Sequence, residues 1–265
     1  MADLRLIKEL HRKYREDSPF HSVDFDKTKR INEAIDPDRI EKALSSKVAE
    51  LGPLYSLYFD IGIPTELALL FIDVCSFSTK YQDLNDEELV EYLDSYYEII
   101  LPIIHKHGGE VDKIMGDGII CLFGAPFLED DLTKNIELAY KCSKEIIRET
   151  IGSGYESKIA LHAGEIKYYK NSSISYEEYT IVGRIMTELF RLESISEDGK
   201  INFYSTTKVD EYISERFSRR DSASRISTFT KVKSTWTLSG NQIISPSLKG
   251  VQYRNFKTIT FNQAV

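Results

Sequence analysis

An α+β fold, with helices packed on a mixed sheet, is what this chain predicts, and three observations carry that prediction. Apolar runs of strand length are interspersed with longer stretches of helical periodicity, two of the strands are separated only by the turn Gly116-Asp117-Gly118, and strands and helices come in mixed order along the chain. The elements follow in sequence. Residues 3–16 place Leu4, Ile7, Leu10 and Tyr14 at helical spacing, and DPDRIEKALSSKVAEL (36–51) opens on Asp-Pro and closes before Gly52-Pro53, so both read as amphipathic helices. LYSLYFDIGIP, after them, is too apolar and aromatic for a free linker. Residues 1–66 are therefore expected to form a helical extension docked on a domain spanning 67–265.

Within that domain the expected order is a strand at 67–74, a helix at about 84–107 ended by Gly108-Gly109, a hairpin at 110–123 and a helix at about 129–151. Strands at 157–167 and about 175–182 follow, then a helix at about 184–194, a strand at 201–204, a helix at about 205–216 and β-rich sequence to the end. The polar, Ser/Thr-rich stretch 217–247 reads as either a flap or a surface β-arm.

Composition narrows the function classes. With 265 residues, of which 42% are hydrophobic, the chain can bury one sizeable core plus a smaller appendage. A net charge of −8 argues against a broad nucleic-acid or anionic-membrane surface. The three cysteines, Cys75, Cys121 and Cys142, are too scattered for a disulfide framework or a zinc site and read as buried free thiols of a reducing compartment. MADLRLIKELHRKYRED is charged throughout, unlike a signal peptide, and no apolar run reaches about 18 residues, so neither export nor a membrane span is expected and the cytoplasm is the expected location.

The chemistry concentrates in residues 69–123. The apolar strand LLFID ends on Asp73, and 44 residues on (117 − 73) Asp117 sits in the turn between two further apolar strands. A carboxylate at the end of a buried strand costs free energy unless a cation or hydrogen-bond donors meet it. Two such groups on one sheet point to Mg²⁺ or Mn²⁺, hard ions that favour carboxylate oxygens and bridge to substrate phosphates.

The motifs are similar to those of the class III nucleotidyl cyclases, the adenylate and guanylate cyclase family. The family's F-x-D-I-x-G-F-T reads here Phe71-Ile72-Asp73-Val74-Cys75-Ser76-Phe77-Ser78, and its K-x-x-G-D reads Lys113-Ile114-Met115-Gly116-Asp117. KIALHAGEI (158–166) resembles the family's I-G-I-H-x-G-E strand, EYTIVGRIMTELFRLESI (178–195) its Y-T-x-x-G-x-x-V-N-x-A-A-R-L-E segment, and SLKGVQYRNFKTITF its closing K-G strand. The likeness runs over roughly residues 67–261 in order. It implies a ferredoxin-like, palm-type catalytic domain that closes a nucleoside triphosphate into a 3′,5′-cyclic monophosphate with loss of pyrophosphate.

The resemblance also implies roles. Asp73, Val74 and Asp117 would hold two Mg²⁺ or Mn²⁺ ions per active site, and the backbone from Val74 to Phe77, with Ser78, would meet the triphosphate. Arg191 would stabilise the transition state, and Lys249, in Leu248-Lys249-Gly250, would bind the triphosphate. Thr187 stands at the family's ribose-orienting Asn position. Lys113 and Thr180 fall on the base-reading pair. A lysine donor facing a Thr hydroxyl fits adenine, but cytosine offers the same acceptor and donor edge, and a rotated hydroxyl suits uracil. Pocket size, set by Phe77, Val111 and Met115, would decide among them. The metal carboxylates and the Lys113, Thr180, Thr187 and Arg191 set belong to opposite protomers in the family, which implies a head-to-tail homodimer with two composite sites.

ATP is the leading substrate on this reading. A pyrimidine cyclase making cyclic UMP or cyclic CMP for a separate effector, as in bacterial anti-phage defence, is the alternative suggested by a lone cyclase with a short helical extension. A catalytically silent nucleotide-binding regulator is the third reading, since Thr187 departs from the motif. A diguanylate cyclase fits poorly, because GGEV at 108–111 precedes the first hairpin strand instead of forming its turn.

Overall fold

The computed structural model describes residues 9, 10, 12–14, 53–170, 179–224 and 235–263. Residues 9, 10 and 12–14 are helical, with Leu10 buried against the main core and Tyr14 stacked on His105 at 5.3 Å between ring centroids. The expected helix at 36–51 and residues 175–178 of the expected strand at 175–182 lie outside the described residues.

From residue 53 the order is α1 (Pro53–Phe59), β1 (Thr65–Val74), α2 (Phe77–Lys80), α3 (Asp86–Lys106), β2 (Glu110–Met115), β3 (Gly118–Phe123), α4 (Leu132–Thr150), β4 (Ser157–Lys170) and β5 (Tyr179–Val182). It continues with α5 (Arg184–Glu193), β6 (Lys200–Tyr204), α6 (Lys208–Ser224), β7 (Thr235–Leu238), β8 (Gln242–Ile243) and β9 (Asn255–Asn262). The strands form one mixed sheet in the order β2-β3-β1-β4-β6-β9-β7, with β5 added to β4 and β8 to β9. β4 and β6 pair in parallel and the remaining neighbours are antiparallel.

Both faces of the sheet are covered, which explains the unbroken apolar run LALLFI in β1. Ala68, Leu70 and Ile72 point to a core shared with α3, α4 and α6, whereas Leu67, Leu69 and Phe71 point to a second core shared with α1 and α5. β3 alternates likewise, Ile119, Cys121 and Phe123 on the first face and Ile120 and Leu122 on the second. β1 begins at Thr65, two residues before the expected start, and α1 buries Tyr55, Leu57, Tyr58 and Phe59 in the same core as Leu67 and Leu69.

Local signals set the helix ends. Asn85 accepts from the Glu88 amide while the Glu88 side chain accepts from the Asn85 amide, a reciprocal cap that starts α3. Asp131 accepts from the Lys134 amide and starts α4 three residues later than expected. α6 differs most, running to Ser224 where sequence reading stopped at about 216 and treated the remainder as flap or β-arm. Val209, Ile213 and Phe217 continue an i, i+4 stripe into the core, and Arg219 pairs with Glu215 one turn back, so the polar SRRDSAS stretch remains helical. All three cysteines are free and buried, as expected. Among the described residues no helix is long and apolar enough to cross a membrane.

Candidate active site

Two backbone features bring the carboxylates together. The antiparallel pairing of β1 with β3, Ile72 opposite Ile119, sets the β2–β3 turn beside the end of β1, and Gly116, with φ of 63°, makes that turn tight. The Tyr97 hydroxyl on α3 donates to the Gly116 carbonyl and ties the turn to the helix layer. Asp73 lies opposite Lys158 across β4, whose Nζ is 3.1 Å from Asp73 Oδ2 and 2.8 Å from Glu193 Oε1.

Burial first, and then the facing Asp117, push the Asp73 carboxyl up to about 6 against the opposing pull of Lys158. Asp117 is also raised, chiefly by burial, while a hydrogen bond from Asp73 draws it back. Burial thus raises both acids, and the charge of Asp117 raises Asp73 further. Burial works against the Lys158 ammonium, but Glu193 and Asp73 outweigh it and hold its pKa above the usual value.

This donor set fits a divalent cation. Two hard oxygen donors at one half-buried point repel each other when ionised unless positive charge is added, and here the Lys158 ammonium supplies part of it. Among the described residues no cluster of three or more His, Cys, Asp or Glu side chains forms a metal cage, so further ligands would come from main-chain oxygens such as that of Val74, from water and from phosphate.

The loop after β1 departs from the motif at one position. Ser76, where the resembling sequences carry Gly, adopts φ of 55° in the left-handed region. Its hydroxyl donates to Asp198 Oδ2 at 3.1 Å, and the Gly199 amide donates to Cys75 Sγ, so the α5–β6 turn braces the strained residue. Phe77 and Ser78 open α2. The Phe77 ring packs on Tyr81 and Tyr92 at 5.2 and 5.6 Å.

The other expected residues lie on the second face and its edges. Thr187 and Arg191 are one turn apart on the exposed side of α5, while Ile185, Met186, Leu189 and Leu192 are buried beneath them. Thr180 pairs with Tyr169 in the β4–β5 ribbon, and Lys249 is exposed in the loop before β9. Lys113 faces the α5 side, opposite Ile120, with Nζ 3.7 Å from the buried Asp112. Val111 is a correction to the expected pocket lining: a β-bulge between Val111 and Lys113 turns it into the core under α3 and α4, where it is fully buried. Met115 remains on the Lys113 side and is 42% exposed.

Thus one chain joins Asp73 with Asp117, and Thr187 with Arg191. Among the described residues no hydrogen bond or ion pair links Lys113, Thr180 and Lys249. Sequence reading missed Lys158, whose role needs strand register, and the buried pair of His162 and Glu188. His162 Nε2 lies 2.9 Å from Glu188 Oε2, with Arg184 Nε 2.9 Å from the other oxygen.

A sheet with helices on both faces, the converging Asp73 and Asp117 at the end of its central strands and an Arg-bearing helix on the opposite face match the catalytic domain of a class III nucleotidyl cyclase. The chain belongs to the adenylate and guanylate cyclase catalytic domain family, whose model matches residues 64–238. It is similar to adenylate cyclase 1 of Rhizobium meliloti (strain 1021), 22% identical over 143 residues that make up 50% of this chain and 21% of that protein. It is also similar to the terminal-differentiation-specific adenylate cyclase of Dictyostelium discoideum, 22% identical over 157 residues, 58% of this chain and 7% of that one. The match thus spans only about a fifth or less of those two relatives.

Among solved structures, the guanylyl cyclase Cya2 aligns with a TM-score of 0.51 and 26% identity over 77% of this chain and 94% of its own. The adenylyl cyclase CyaB from P. aeruginosa shares the fold with a TM-score of 0.54 and 19% identity over 75% and 95%.

Proposed function

We propose that the protein converts ATP to 3′,5′-cyclic AMP and pyrophosphate at two composite sites of a head-to-tail homodimer. The observation that carries this reading is the convergence of Asp73, at the end of β1, with Asp117, in the β2–β3 turn, a half-buried pair of like charges that a cation would relieve. Asp73, the Val74 carbonyl and Asp117 would hold two Mg²⁺ or Mn²⁺ ions, whose chemistry when bound is to acidify the ribose 3′-hydroxyl and offset phosphate charge.

The chain's own residues supply the remainder. Phe77 and Ser78 offer first-turn amides to the triphosphate, and Lys249 adds an ammonium there. From the partner's α5, the guanidinium of Arg191 meets charge developing on the α-phosphate and pyrophosphate, and the Thr187 hydroxyl orients the ribose. Lys113 donates to the base and Thr180 completes its edge. Exposed Phe190 on α5 and Met115 on β2, 38% and 42% exposed, support a partner covering that face. Residues 1–66 act as a helical extension to the catalytic domain at 67–265, and three buried free thiols suit a cytoplasmic protein.

The Lys113 and Thr180 pair also suits cytosine, and a rotated hydroxyl suits uracil. Cyclic CMP or cyclic UMP signalling to a separate effector is accordingly the second reading. Incubating the purified protein with Mn²⁺ and each of ATP, CTP, UTP and GTP, then identifying products by mass spectrometry, tests both. Cyclic AMP supports the first, a cyclic pyrimidine nucleotide the second, and no cyclic product from a dimeric protein would replace both with the silent regulator.

A further inference from the structure

We propose that Glu188, tied to His162 of β4, is the positioning residue that fixes the roll of α5 and so aims Thr187 and Arg191. What those two side chains do rests on the functional reading above; the clamp itself rests on geometry. The side chain of Glu188 is 4% exposed and that of His162 1%, so neither reaches a nucleotide. Glu188 therefore acts through the helix it sits on, between the two outward-facing residues at 187 and 191.

Three contacts seat α5. At its N-terminal end it comes down onto β4 at Gly164, where an added Cβ would lie 2.8 Å from Ile185 Cγ2. Along its underside, Ile185, Met186, Leu189 and Leu192 pack into the second core. These apolar contacts set depth but tolerate rotation about the helix axis, because they are not directional.

The flank toward the C-terminal segment is different. It borders a cleft of about 420 Å³ lined by Gly164, Lys167, Arg184, Glu188, Gln252 and Tyr253. A solvent-open flank offers no close packing to resist roll. There the directional contact to the sheet is polar: Glu188 Oε2 lies 2.9 Å from His162 Nε2 on β4, while Arg184, 2.9 Å from Oε1, belongs to α5 itself and pairs along the helix. The Tyr204 hydroxyl donates to the Glu188 carbonyl at 2.9 Å, and Tyr204 stands edge-on to His162 at 5.3 Å while stacking on Tyr253 at 4.5 Å. α5 is thereby pinned to β4 and β6 through one residue.

The test compares Glu188→Ala, Glu188→Gln and His162→Asn with the native dimer. Loss of the clamp should speed amide hydrogen exchange over residues 184–193 by about tenfold or more and lower kcat by roughly 10- to 100-fold, with KM within about threefold. Glu188→Gln, which keeps an acceptor for His162, should retain most of kcat. Co-expressed with Asp73→Ala, Glu188→Ala should regain activity, since one composite site is then intact; co-expressed with Arg191→Ala it should not. A folded Glu188→Ala dimer with kcat within twofold of native, or with unchanged exchange over α5, overturns the proposal. If that variant does not fold, His162→Asn decides, its side chain being too short to reach Glu188, and native kcat there is equally decisive against. Should the native protein cyclise none of the four nucleotides, the functional reading falls separately, while the exchange measurement still decides whether Glu188 holds the helix.

Discussion

Replacing Asp73 by Asn should stabilise the metal-free protein at neutral pH while abolishing its response to metal. The folded carboxyl sits at about 6 against an ordinary 3.8, a rise of about two units, or about 3 kcal/mol at ~1.36 kcal/mol per unit. Partial solvent access at the site screens this, leaving on the order of 1–2 kcal/mol. A raised folded pKa means that the native state binds more protons than the unfolded state between about 4 and 6. The favourable contribution of the protonated pair is therefore complete below pH 4 and lost as pH climbs through 6, so at pH 7.5 the metal-free site carries the full cost. The amide that Asp73→Asn introduces can donate to Asp117 as the protonated acid does, and it never ionises.

The variant should accordingly melt about 2–8 °C above the native protein in EDTA at pH 7.5, using ~2–4 °C per kcal/mol for a chain of this size. That advantage should shrink as the pH is lowered toward 4. Saturating Mn²⁺ should raise the melting temperature of the native protein and leave the variant nearly unmoved. A variant that melts below the native protein in EDTA, or one that Mn²⁺ shifts equally, would refute the account of a repelling carboxylate pair at the site.

Three further outcomes follow from the same geometry. Arg191→Ala should lose at least ~100-fold in kcat with the melting temperature almost unchanged, because the side chain is exposed, and co-expression with Asp73→Ala should restore activity through one intact composite site; a tandem-tag purification of the heterodimer checks this. Ser76→Gly should raise stability by roughly 0.5–1 kcal/mol, the relief of a left-handed Ser outweighing one exposed hydrogen bond to Asp198, as read by urea denaturation. Lys113→Met should lower kcat/KM for ATP by roughly 10- to 100-fold while bringing rates on the four nucleotides closer together, measured in competition assays.

Much of this architecture is written locally. β1, the hairpin and α5 announce themselves through apolar runs, a Gly-Asp-Gly turn and a Thr187-to-Arg191 spacing of one helical turn, and none of these needs tertiary knowledge. The end of α6 was lost because Ser, Arg and Asp dominate its last two turns and only Phe217 signals continued contact with the core. Lys158 could be matched to Asp73 only once the β1–β4 register was known. Val111 turns to the core because one extra residue separates it from Lys113, and no local signal in GGEVDKIM marks that residue.

That extra residue gives β2 two independent readerships. Upstream of the bulge, Val111 answers to the helix-covered core; downstream, Lys113 and Met115 answer to the opposite face. Substitutions at 113 and 115 can thus retune what the protein selects without asking the core to repack, and changes at 111 can adjust stability without touching selectivity. The register holds Val111 opposite Cys121 on the core face and Lys113 opposite Ile120 on the other, with Asp112 as the extra residue between them, so one short strand evolves under two separate pressures.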